Sequence, residues 1–218
     1  MIPLIRYTSA TMMHSQRYWA PVLLFIAAVG VSSSNDSGPL APIYGVGAGA
    51  LLVCATWFTI ALISIEDPAH RAIIVVSARH SGRVLLASVS VAVISCLALS
   101  GLGVVLPLLA GTHRIEAADL VLGIEAELTG GCAGIAIGLL CSRLVIRRQG
   151  YALIAALALV MTALLTRGLP PVNVLLRLLA NTNRSAYLLG SAGGLLAIAA
   201  SILVVSSLAT QFIATRKD

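Results

Sequence analysis

Long apolar runs broken by short polar or turn-rich stretches are the dominant pattern along this chain. Six runs stand out, from about Tyr18 to Val31, Ile43 to Ile65, Val84 to Leu109, Leu120 to Val145, Tyr151 to Leu165 and Tyr187 to Ile213. A bilayer's hydrocarbon core, about 30 Å thick, takes roughly 20 apolar residues per helix. The pattern therefore predicts an all-α membrane protein of six transmembrane helices. The first and fifth runs are short and need help from flanking residues or a thinned bilayer.

The breaks carry structure of their own. EDPAHRAIIVVSARHSGR, residues 66–83, reads as a capped helix between the second and third spans. Asp67 suits the N-cap, Pro68 the first helical position, and Glu66 the positive end of the helix dipole. Arg79 and His80 lie near the negative end, and Gly82 offers a stop. Ile73, Ile74, Val75 and Val76 make this helix too apolar for a solvated linker, so it is expected to pack against the spans, the membrane surface or another subunit. At the N-terminus, Ile2, Ile5, Met12 and Met13 share one side of a helix with Arg6 and Arg17 at its edge, which predicts an amphipathic interfacial helix over residues 1–17 ahead of a membrane domain over 18–218. Between the fifth and sixth spans, in region 166–185, the apolar stretch Val172 to Ala180 is too short to cross. Pro170 and Pro171 begin it, and Asn181 and Asn183 end it. A short outer half-helix is the expectation.

Composition agrees with a membrane location. The chain is 59% hydrophobic and 10% charged, with a mean hydropathy of +1.00, more apolar surface than one water-soluble core of this size would hide. Its net charge of +6 reads as topology rather than nucleic-acid binding. With the N-terminus inside, ten basic residues (Arg6, Arg17, Arg71, Arg79, Arg83, Arg143, Arg147, Arg148, Arg216 and Lys217) fall on the cytoplasmic side. Four (Arg114, Arg167, Arg177 and Arg184) fall outside. That bias predicts both termini in the cytoplasm. Arginine in place of lysine at all but one of these positions points to GC-rich coding rather than a functional basic patch; the expected location is a bacterial inner (plasma) membrane.

Candidate chemistry is sparse. Cys54, Cys96, Cys132 and Cys141 fall in the spans without a C-x-x-C pair, and His14, His70, His80 and His113 are scattered, so neither a redox motif nor a metal site is expected. There is no phosphate-binding loop and no nucleophile elbow. Glu125 and Glu127 lie toward the outer end of the fourth span, where ionisable groups are candidates for function by default; two residues apart, they point to nearly opposite helix faces. Gly130, Gly134 and Gly138 recur every four residues in the same span, a spacing that lets helix backbones approach closely. Gly45 with Gly49, and Gly190 with Gly194, repeat it.

Taken in order, the amphipathic helix in MIPLIRYTSATMMHSQRYW, the helix in EDPAHRAIIVVSARHSG, the glycine-rich fourth span running into CSRLVIRRQGY and the late half-helix resemble the membrane subunit of an ABC-2-type exporter. The resemblance covers essentially the whole chain. It implies that the loop 66–83 is a cytoplasmic coupling helix docking into an ATP-binding-cassette ATPase, with Glu66, Asp67 and Pro68 at its start. Arg71, Arg79 and Arg83 would form the polar rim of that contact, and Ile73, Ile74 and Val75 its buried anchors. It further implies two ATPase subunits as partners, a second membrane subunit identical or related to this one, and ATP with Mg bound on the partner rather than on this non-catalytic chain. The absence of a deep charge cluster favours a lipophilic or amphiphilic cargo, with Tyr44, Trp57, Phe58, Glu125 and Glu127 as candidate pathway residues. The alternative is an autonomous secondary transporter or pore driven by an ion gradient.

Overall fold

The computed structural model describes residues 2–16, 18–34, 40–65, 81–110, 117–146, 148–181 and 187–215. These residues form eight helices: α1 (Ile2–Ser15), α2 (Trp19–Ser34), α3 (Leu40–Ile65), α4 (Ser81–Ala110), α5 (Ala117–Leu140), α6 (Gln149–Leu165), α7 (Val172–Asn181) and α8 (Leu189–Thr215). The chain is all-α over these residues. Four helices, α3, α4, α5 and α8, are long and apolar enough to cross a membrane. The bent pair α1–α2 would make a fifth span. The sixth expected span, α6, has 17 residues, about 26 Å at 1.5 Å per residue, just short of the hydrocarbon thickness. Multi-pass membrane insertion thus rests on four helices and reaches five by length and composition.

α1 and α2 meet at 78°. Gln16 supplies the break, with φ of 54°, a left-handed conformation that ends α1 and redirects the chain. Two boundaries differ from the hydrophobic pattern. α5 stops at Leu140 rather than Val145, because Cys141 to Val145 form tight turns. Gly82 lies in the first turn of α4 rather than ending a preceding helix; a side chain there would meet Gln211 of α8.

The centre of the bundle is the seam between α3 and α5. A Cβ at Gly130 would collide with the carbonyl of Ala48. One at Gly134 would sit 2.5 Å from the Leu52 carbonyl and 2.8 Å from Ala55 Cβ, and one at Gly138 would sit 2.6 Å from Thr59 Cβ and 2.9 Å from the Thr56 carbonyl. The glycines therefore let α5 lie directly on the backbone of α3. Because partners rise together along both chains, from Gly123 with Tyr44 to Gly138 with Thr59, the two helices run parallel. Thr56 Oγ1 ties them across the seam: it donates to one of two acceptors, the Leu52 carbonyl at 2.8 Å and the Gly134 carbonyl at 3.1 Å.

The two ends of the bundle are unlike. At one end Phe58, Leu62 and Ile63 of α3, Leu85 of α4 and Leu139 of α5 form a cluster on which Ile5 and Met12 of α1 pack. Thr8 is buried between them, so the inner face of α1 runs through Ile5, Thr8 and Met12. Met13, expected on that face, is exposed, since a single residue step turns the helix by about 100°. At the opposite end Leu175 and Leu179 of α7 pack with Leu40, Ile43 and Tyr44 of α3 and Leu122 of α5. α7 is tied back to α6 by Asn173, whose Nδ2 donates to the Leu164 carbonyl at 2.6 Å. Its Oδ1 accepts from the Gly168 N–H at 3.3 Å. Gly168, at φ 78°, takes a turn that a side chain would strain.

Candidate functional site

Glu127 is the eleventh residue of α5, about 15 Å along the helix from Ala117. It therefore lies well inside the span rather than at its outer end. Four helices close around it. A side chain at Gly47 of α3 would collide with its Oε1. One at Gly103 of α4 would come within 2.9 Å of its Cδ and 2.9 Å of Phe25 Cζ from α2. The carboxyl is 0% exposed, and neither oxygen has a hydrogen-bond partner among the described residues.

Tyr44 stands one turn from Gly47 on α3, with its ring stacked into the gap left by Gly123 of α5. It is buried, and its hydroxyl is also without a partner among the described residues. Buried polar groups in proteins are nearly always satisfied. Two unsatisfied ones on adjacent turns of one seam mark this layer as the most unusual chemistry in the bundle. Glu125, two residues before Glu127, faces the other way: its Oε1 lies 3.3 Å from where a Cβ on Gly193 of α8 would be. The pair is split between two interfaces.

The remaining candidate pathway residues do not converge. Phe58 is buried with Ile135 and Leu139 near the α1 end, while Tyr44 belongs to the cluster at the α7 end. Trp57 is 44% exposed on the outside of α3. A cavity of about 170 Å3 that would admit a small apolar group lies away from all three, between α5, α6, α8 and the turn before α7, lined by residues including Ala133, Ile137, Leu159, Pro171 and Ile202.

The glycine stripes have different surroundings. Gly130, Gly134 and Gly138 make the α3–α5 seam, whereas Gly45 faces Leu179 and Gly49 faces Leu164. Gly190 and Gly194 meet nothing within 4 Å. Of the expected coupling residues, Glu66, Asp67, Pro68, Arg71, Ile73, Ile74, Val75 and Arg79 lie outside the described residues. Arg83 is exposed in the first turn of α4. The four cysteines are free, and no group of three His, Cys, Asp or Glu among the described residues would hold a metal ion.

Two features escaped the sequence reading. Asn173 was an available signal, a lone amide in an apolar run, which a short buried helix uses to bind the preceding turn. The Gly47–Gly103 cradle had no such signal, because the two glycines are far apart in sequence and only packing brings them to one carboxyl. No family model matches this chain, and no curated protein or solved structure matches it significantly.

Proposed function

We propose that this chain is the membrane subunit of an ABC exporter of the ABC-2 type, exporting a lipophilic or amphiphilic cargo as a partner ATPase hydrolyses ATP. The observation that carries this reading is the polarity of the bundle. α1, turned 78° from α2, packs on the end where α3 stops at Ile65 and α4 starts at Ser81. α7, ten residues long, wedges into the opposite end. In an exporter of this type the first end is cytoplasmic, with interfacial and coupling helices side by side, and the second is the outer mouth.

Charge agrees with that orientation. Among the described residues Arg6, Arg83, Arg143 and Arg148 lie at the α1 end, against Arg167 and Arg177 at the α7 end, the sense of the positive-inside rule. Six spans follow if α2, with α1 lying along the surface, and α6 both count as crossing elements. On this reading ATP and Mg belong to two ATPase subunits, this chain performs no chemistry, and a second membrane subunit completes the pathway. The apolar cavity beside α6 supports a greasy cargo.

A second reading, a transporter driven by an ion gradient and acting alone, is favoured by one observation, the unpartnered Glu127 inside a span. Co-expression of the chain with its genomic neighbours, followed by pull-down and ATPase assay, separates the two. The exporter reading expects a nucleotide-binding subunit to co-purify with the wild type and to be lost or uncoupled in an Arg79→Glu, Ile74→Asp double variant. If no ATPase associates under any condition, that reading is overturned.

A further inference from the structure

Packing does not account for Glu127. A charge in an apolar interior costs several kcal/mol or more unless a counter-ion or several hydrogen bonds offset it. Glu127 has neither among the described residues. A leucine would fill a similar volume without that cost, and Gly47 and Gly103 each leave out a side chain where the carboxyl lies. Two helices thus make room for a polar group that gains nothing from them. A carboxyl so enclosed is stable only as the neutral acid.

We propose that Glu127 is a proton-binding site: it holds its proton while α2, α3, α4 and α5 are closed around it and releases the proton when they part. On release the O–H bond of the acid breaks, the proton passes to entering water, and the electron pair remains on the carboxylate. Tyr44, whose buried hydroxyl also has no partner among the described residues, sets its ring against Gly123, one turn before Glu127 on α5, and is the donor we assign to the carboxylate so formed. The titratable groups near the site are Tyr44 and Cys54 from α3 and Cys96 from α4, with Asp119 of α5 acting on Tyr44. From α2 the facing residue is Phe25, and no described cationic side chain stands beside the carboxyl. Glu125 on the same helix is turned toward α8.

The site does not depend on what drives transport. An ATPase-driven subunit and an ion-driven carrier both change the packing of these helices, so the proton is measured directly. Full-length chain in nanodiscs is titrated while infrared difference spectra follow the carbonyl stretch of protonated carboxylic acids. A band missing from Glu127→Gln and retained in Glu125→Gln is expected, disappearing with a single midpoint as pH rises. Tyr44→Phe removes the donor to the charged form, so it is expected to move that midpoint up by about one pH unit. Melting temperatures of the three variants verify that each is folded, and Glu127→Asp, which keeps an acid, is expected to retain a band. Absence of any Glu127 band throughout the pH range in which the protein stays folded would mean a permanently charged carboxylate and overturn the proposal. A band that never titrates would also overturn it, leaving an inert structural acid.

Discussion

Oε1 of Glu127 occupies the space that a side chain at Gly47 would need. The acid on α5 and the glycine on α3 are therefore a matched pair, and each limits what the other position accepts.

Gly47→Ala is expected to lower stability by about 1–3 kcal/mol, the usual cost of forcing a methyl into a filled interior. Glu127→Ala vacates the clashing volume, so the double variant should recover part of that loss. The measurement is the thermal midpoint in detergent, followed by tryptophan fluorescence, with the two single variants and the double forming a cycle. Strict additivity would mean that the two positions do not share the space.

The α3–α5 seam makes a second, graded prediction. Gly134→Ala brings a methyl against the Leu52 carbonyl and Ala55, and a similar loss of about 1–3 kcal/mol is expected. Gly194→Ala meets nothing within 4 Å, and should be neutral or gain up to about 1 kcal/mol from helix propensity. Unfolding of both variants side by side checks the contrast.

Asn173 joins α7 to α6 through the Leu164 carbonyl. Asn173→Leu strands that carbonyl at a part-buried position and is expected to cost about 1 kcal/mol. The loss should be local. Maleimide labelling of a cysteine introduced at Leu179, buried under the α7–α3 contact, should speed up in the Asn173→Leu background while the native cysteines of the seam stay protected.

Trp57 is exposed on the outer face of α3, where a bilayer around the described bundle would meet it. Brominated lipids are expected to quench its fluorescence in a Trp19→Phe background, and Trp57→Ala is expected to leave the melting temperature nearly unchanged. Protection from quenching would mean that another protein surface covers this face.

Much of this organisation was legible in the chain itself. Runs of apolar residues long enough to cross a bilayer identify α3, α4, α5 and α8, because in lipid every backbone amide must bond within its own helix. The four-residue spacing of Gly130, Gly134 and Gly138 announced a close helix contact for a similarly local reason: one helix face is set by spacing alone. The prolines ahead of Val172 and the brevity of the run after them announced α7.

Partners across the bundle were decided only by tertiary structure. Spacing marks a glycine stripe but not the helix it meets, so the parallel alignment of α5 on α3 and the open surroundings of Gly190 and Gly194 emerged from packing. In the same way, Trp57 and Phe58 are neighbours in sequence, yet one faces outward and the other inward, because a residue step turns the helix by about 100°. Glu127 is the clearest case. Its sequence context marks an acid in a span, but burial without a partner follows from where Gly47, Gly103 and Phe25 come to rest, three positions on three other helices that no local pattern relates.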